Sequence, residues 1–273
     1  MIKHKIFQEN PDSVLSTEFG DFRAPFHCYA AQSYTMMGTV SLDGARDRLS
    51  QEGLYPFQFR MPNGDVGAGA QVSFIDYSDT NYGPYRELVF SLFTTVSEAP
   101  TDYENETSLL CLGESPERIV FTIDLHLDSE SGLVAGRDVG GMPKNRADLN
   151  YDFENKCFVV SNENGVVASL DTGDDCWLTD NVVRQQLLAA FGSGRIEALS
   201  KSDVESYRVA TPIEPLRQWM ELQQVAPARL AVPNDSLAWS YSPAEELDFT
   251  PMLISYMPLV QYVMLLATAP DSE

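Results

Sequence analysis

The sequence predicts an α+β fold in which strands outnumber helices, and three observations carry that expectation. Runs of strand length, rich in β-branched and aromatic residues, recur at Leu88–Val96, Arg118–Leu127 and Leu133–Asp138. Lys156–Val160 and Val166–Leu170 flank Ser161-Asn-Glu-Asn-Gly165, the signature of a β-hairpin closed by Asn-Gly. Clear helical signals are few and short.

In chain order, residues 1–30 are mixed and punctuated by Pro and Asp, and read as an irregular N-terminal arm over the body. Tyr34–Val40 reads as a strand. Ser41-Leu-Asp-Gly-Ala-Arg-Asp-Arg-Leu49 offers a cap followed by helix formers, with Gly53 as the stop. Val72–Tyr77 alternates as a strand, Ser78–Pro84 is polar and turn-rich, and the three strand runs and the hairpin follow. Asn181–Phe191 sets Val182, Val183, Leu187, Leu188 and Phe191 on a helical stripe that Gly192 ends. Glu205–Gln224, with two prolines and Trp219, reads as a strand followed by a short helix. Met252–Pro270 carries no formal charge, but Ser255, Pro258, Gln261 and its tyrosines and threonines break the run of about 20 apolar residues that a membrane span needs. A buried pair of strands fits better. No repeat, low-complexity tract or linker divides residues 1–273, so a single domain is expected.

Composition narrows the function classes. The 273 residues, 44% hydrophobic and 11% aromatic, suffice for a large core. Lys and Arg total 18 against 40 Asp and Glu, and the net charge of −22 repels phosphate backbones and anionic lipid. Neither nucleic acid nor membrane is an expected partner, although a salty habitat would also produce such acidity. Cys28, Cys111, Cys157 and Cys176 form no Cys-x-x-Cys pair, and only His4, His27 and His126 could join them, so no metal centre is expected. Asp171–Asp175 lacks the spacing and terminal glutamate of a calcium loop. Cysteine usage fits a reducing compartment, and the first ten residues lack the apolar core of a secretory signal, which points to the cytoplasm.

The chemistry gathers at Leu133–Arg146. An apolar approach ends in Gly140, Gly141 and Pro143, where the backbone must turn, and Lys144 is delivered on that turn. It is one of only five lysines in the chain. A loop lysine is ordinarily a solvated charge; the functional alternative is an amine kept neutral by its surroundings so that it attacks carbonyls. Glu87 follows Tyr82-Gly-Pro-Tyr-Arg where a turn meets a strand, and either points into a cavity or faces solvent opposite Leu88.

These segments resemble the acetoacetate decarboxylase family. Gly83-Pro-Tyr-Arg-Glu87 is similar to the family's Gly-x-Tyr-x-Glu segment, and Ala135-Gly-Arg-Asp-Val-Gly-Gly-Met-Pro-Lys144 to its Gly-Arg-Glu…Pro-Lys-Lys segment. The likeness covers residues 30 to 150. It implies a mainly antiparallel β fold curled into a cone or open barrel with a few helices, a homo-oligomer, and cofactor-free lyase chemistry on a small keto acid or ketone. Lys144 then matches the Schiff-base lysine and Glu87 the active-site carboxylate, with Tyr85 beside them.

Two departures bear on the reaction. The family's second lysine is Asn145 here, and its N-terminal arginine, thought to meet a substrate carboxylate, aligns near Gln32 or Ser33. An ordinary lysine titrates near 10.4, so at neutral pH fewer than roughly one in a thousand is a free amine. Lacking a second lysine, the site depends more on burial, or on Arg146 if two-residue spacing on a strand sets it beside Lys144, or on Arg137. Ion pairing with a carboxylate is the plainer role for both arginines. Decarboxylation and aldol cleavage or dehydration both use a lysine iminium, and a scaffold that only binds apolar ligands is the remaining alternative.

Overall fold

A computed structural model describes residues 5–9, 11–17, 19–60, 64–95, 98, 119–139, 142–173, 193–200, 217–224, 229–231, 233 and 235–266. The chain opens with helix α1 (Ile6–Glu9), strands β1 (Ser13–Thr17), β2 (Gly20–Ala24) and β3 (Phe26–Ser41), and helix α2 (Leu42–Leu49). Strands β4 (Tyr55–Pro56), β5 (Gln58–Arg60), β6 (Val66–Thr80), β7 (Tyr85–Thr95) and β8 (Ile119–Leu127) follow. Helix α3 (Glu130–Leu133) runs into a π-helical segment, Val134–Val139, before β9 (Lys144–Arg146) and β10 (Asp148–Asp152). The remainder comprises β11 (Cys157–Asn162), β12 (Gly165–Asp171), β13 (Ser193–Ser200), β14 (Arg217–Gln224), β15 (Arg229–Ala231), β16 (Ala238–Tyr241), helix α4 (Ser242–Glu245) and β17 (Thr250–Leu266).

Strands dominate, as expected, and nearly all pair antiparallel. The large sheet runs β4-β7-β6-β3-β17-β14-β13-β8-β9, with β5 and β15 at its side, and a further β7–β8 pairing curls the path back on itself. Among the described residues only β8–β13 and β8–β9 are parallel. A four-stranded sheet, β10-β11-β12-β16, packs against it. No helix among the described residues is long and apolar enough to cross a membrane.

Two-residue alternation gives the central strands two buried faces. Tyr34 and Met36 of β3, Val72 and Phe74 of β6, and Leu88, Phe90 and Leu92 of β7 join Phe158, Val160 and Leu170 of the small sheet in the main core. Each such side chain contributes about 1.5–3 kcal/mol by leaving water. The intervening residues, Ser33 and Thr35, Ser73 and Ile75, Glu87, Val89 and Ser91, line a cavity on the opposite face.

Several elements follow their sequence signals. Ser41 caps α2, its Oγ accepting from the Gly44 amide at 3.3 Å, and Ala45 and Leu49 turn inward. The β11–β12 hairpin closes over Glu163-Asn164, with Gly165 at φ 121°, a left-handed angle that glycine adopts freely.

Others differ. The arm expected to be irregular contains α1 and the β1–β2 hairpin, pinned by Ser16 Oγ donating to Asp21 Oδ1 at 2.7 Å, and β3 already begins at Phe26. Leu133–Asp138, expected to be a strand, is helical. Ser129 caps this segment, accepting from the Gly132 amide at 3.1 Å through Oγ and from the Leu133 amide at 2.9 Å through its carbonyl, so local capping overrides the β-branched composition. The described part of Met252–Pro270, up to Leu266, belongs to one long strand rather than two. Irregular register at Pro251/Leu253 and Met257/Val260 absorbs the prolines, which cannot donate to a ladder. Arg217–Gln224 is strand where the end of a short helix was expected. The helical stripe at Asn181–Phe191 lies outside the described residues, as do Cys111 and Cys176; Cys28 and Cys157 are free thiols.

The two sheets are also joined by polar contacts. Asp124 of β8 accepts from Tyr241 Oη and bonds His126 Nε2 at 3.0 Å through Oδ2, and accepts from Asn145 Nδ2 at 3.2 Å through Oδ1. Burial pushes its carboxyl up, but the bonds from His126 and Tyr241 and the His126 charge outweigh that and hold it below the usual value. A carboxyl lowered on folding contributes stability above the unfolded value near 3.9. That contribution disappears as the pH falls through the folded value. Urea midpoints of the wild type and Asp124→Asn should therefore be well separated at pH 7 and converge below about pH 4; a constant gap would mean that the carboxylate charge carries none of it.

Candidate active site

Lys144 is the first residue of β9, paired in register with Leu125 of β8. Its side chain is 7% exposed and runs beneath the π-helical segment, where Gly136 faces it. A Cβ at Gly136 would overlap Cε and Cδ of Lys144 and lie 2.7 Å from Nζ. The absent side chain at 136 is thus the space that the lysine occupies. The π-helical turn, a feature often found at functional sites, brings that backbone close.

Glu87, on the cavity face of β7, is 5% exposed and meets the amine directly, with Lys144 Nζ 2.6 Å from Oε1. Tyr77 donates to the other carboxylate oxygen at 3.1 Å, and Tyr262 donates to Tyr77 at 2.8 Å. Tyr151 reaches across from the small sheet to donate to the Glu87 carbonyl at 2.9 Å. The Tyr85 ring stacks on Tyr77 at 4.5 Å and lies 5.9 Å from the lysine nitrogen. Burial, and secondly the Glu87 charge, pushes Tyr77 and Tyr85 well above the usual phenol value. Both therefore remain neutral donors rather than phenolates.

The cavity holding this group has a volume of about 240 Å³. Tyr77, Tyr85, Tyr262 and Phe26 form an aromatic wall around the lysine. The N-terminal hairpin contributes Leu15, Phe22 and Ala24 to the lining, and is held there by Tyr82 Oη donating to the Arg23 carbonyl at 2.7 Å. Among the described residues, Lys144 is the only cationic side chain lining the cavity and Glu87 the only carboxylate. No group of three metal-ligating side chains occurs among the described residues.

The structure thus brings Lys144, Glu87 and Tyr85 together and leaves the other candidates outside the cavity. Arg146 is exposed and does not line it. Lys144 and Arg146 both belong to β9, but Lys144 is buried and Arg146 exposed, because the strand ends at Arg146 before the chain enters the small sheet at Asp148. Asn145 is exposed and serves Asp124 instead. Arg137 lies exposed in the π-helical segment, away from the lining. Gln32 is on the core-facing register of β3, where it donates to Asp76 at 3.1 Å and accepts from Tyr256 at 3.3 Å; its neighbour Ser33 faces the cavity. Gly136, Tyr77 and Tyr262 emerge only in three dimensions. The two tyrosines lie within strands that the sequence marks as ordinary β runs, and the glycine was visible only as part of a motif.

No family model and no curated protein matches the sequence. Solved structures do match. Acetoacetate decarboxylase from Legionella pneumophila subsp. pneumophila str. Philadelphia 1 is 12% identical over 90% of this chain and 88% of that one, with a TM-score of 0.60. Another acetoacetate decarboxylase is 11% identical over 90% and 88%, with a TM-score of 0.57. The enduracididine biosynthesis enzyme MppR, complexed with pyruvate, is 12% identical over 89% and 88%, with a TM-score of 0.50. At such identities the likeness is one of fold, and the fold is that of acetoacetate decarboxylase and similar enzymes.

Proposed function

We propose that the protein is a cofactor-free, Schiff-base-forming lyase acting on a small carbonyl compound, with Lys144 as nucleophile and Glu87 as proton carrier. The observation that carries this is the buried 2.6 Å contact between Lys144 Nζ and Glu87 Oε1 at the wall of a cavity. Moving one proton from nitrogen to oxygen leaves a neutral amine and a carboxylic acid without bringing any net charge into the interior.

The neutral amine attacks the carbonyl carbon, and the tetrahedral adduct loses its hydroxyl as water by taking a proton from Glu87. The resulting iminium accepts the electron pair of the bond that breaks next and becomes an enamine. Glu87, reprotonated by the proton that the leaving fragment gives up or by solvent, then delivers a proton to the enamine carbon, and hydrolysis by water releases the product and restores the amine. Tyr77 and Tyr262 orient the carboxylate through Oε2, leaving Oε1 aimed at the nitrogen. The aromatic wall excludes water that would compete for the proton.

Incubation with acetone or a keto acid and borohydride, followed by peptide mass spectrometry, tests the proposal. The expected result is a reduced adduct on Lys144, absent from Lys144→Ala. A cavity lined largely by apolar side chains also suits a protein that only binds ligands, and the lack of an adduct with every carbonyl compound tried would favour that reading instead.

A further inference from the structure

Beyond the lysine, the largely apolar cavity wall carries several neutral polar side chains. Ser33, Thr35, Ser73, Ser91, Thr122 and Ser255 all line it. Strand register sets three of them on the level of the lysine. A single cross-strand row runs from Lys144 through Leu125 and Val89 to Ser73, Thr35 and Ser255. Thr35 and Ser73 bond each other at 3.0 Å, and Ser91 and Thr122 at 3.2 Å, so each pair retains oxygen lone pairs for a guest. Ser33 is different. Its side chain is buried, and its Oγ has no hydrogen-bond partner among the described residues. An orphaned buried hydroxyl costs about 1–3 kcal/mol, and one lining a cavity can be satisfied by whatever fills it.

Among the described residues, the same wall offers an anion no cation besides Lys144. With Lys144 held in the iminium, no second cation among the described lining residues remains to meet a substrate carboxylate, and Glu87 would repel one. We infer that the substrate is an uncharged hydroxylated ketone or aldehyde, its hydroxyl held on the band around Ser33, and that the lyase step is aldol cleavage or its reverse rather than loss of carbon dioxide. This rests on the Schiff-base reading above and specifies its substrate class.

The step balances without an added reagent. A β-hydroxy ketone condenses with Lys144, releasing water. The hydroxyl proton then passes to the Glu87 carboxylate as the bond between the α and β carbons breaks, its electron pair entering the iminium to give the enamine. An aldehyde or second ketone leaves. Protonation of the enamine carbon by Glu87 and hydrolysis return the first ketone and the free amine.

Borohydride trapping rates for 4-hydroxy-2-butanone, acetone and acetoacetate test the inference on the intact protein. The hydroxyketone should trap at least tenfold faster than acetone, acetoacetate should trap more slowly than both, and unreduced enzyme should release formaldehyde and acetone from the hydroxyketone. Ser33→Ala should lower the ratio of hydroxyketone to acetone rates about tenfold, the worth of one hydrogen bond in a dry site. Its urea midpoint should hold or rise, since an unpaired group is removed, whereas a fall would make Ser33 a structural residue and overturn its role. Thr35→Val combined with Ser73→Ala, which deletes both partners of a pair, should lower the same ratio. Trapping of acetone with no advantage for the hydroxyketone, or carbon dioxide release from acetoacetate, would overturn the substrate class while the Schiff-base chemistry stands. Failure to trap any of the three would instead remove the chemistry itself.

Discussion

Lys144→Met and Glu87→Leu, made singly, should each destabilise the protein by about 3–5 kcal/mol, while the double variant recovers most of the loss. Both side chains are almost wholly buried and touch at 2.6 Å, so removal of either strands the other charge in an apolar interior. Removal of both replaces a desolvated pair with packing volume, which is often neutral or better. Urea melts of the four proteins form a thermodynamic cycle. Additive losses would show that the two groups do not depend on each other, and the proton exchange proposed for them would lose its basis. Catalysis should be absent from all three variants.

Gly136→Ala should lose part of the stability that the buried pair provides and slow borohydride trapping about a hundredfold. The added methyl collides with the outer carbons of Lys144, a flexible chain that can swing aside without moving backbone. Swinging aside breaks the contact with Glu87, and a displacement of about 1 Å at a reacting atom costs on the order of 10²-fold. Equal trapping rates in the two proteins would show that the amine reacts from some other position.

The sequence made part of this site legible. Tyr85 and Glu87 stand two apart on a strand, so period-two alternation puts them on one face, and Leu88 marks the opposite face as core. The turn before Lys144 and the scarcity of lysine singled out that residue. What failed did so for identifiable reasons. Alternation was carried from Lys144 to Arg146 although β9 ends at Arg146 and the chain then enters the small sheet. Leu133–Asp138 has strand composition, but the Ser129 cap and a π-helical register decide its conformation, and with it the role of Gly136. The hydroxyl band was invisible because Ser and Thr scattered singly over β3, β6, β7, β8 and β17 become neighbours only through register. The N-terminal hairpin was read as loose because its side chains carry little periodic signal; Val14 and Leu15 remain exposed even when folded.

The doubly buried central strands bear on how such a protein changes over time. In β7 the even positions, Leu88, Phe90 and Leu92, answer to the interior between the sheets, and the odd ones, from Tyr85 to Phe93, answer to the guest. Selection, or a designed library, is therefore free to rewrite the odd positions other than Glu87 for new specificity while their neighbours keep the scaffold standing. The same arrangement makes the strand intolerant of length variation, because inserting a single residue would transpose the two sets and ruin both at once.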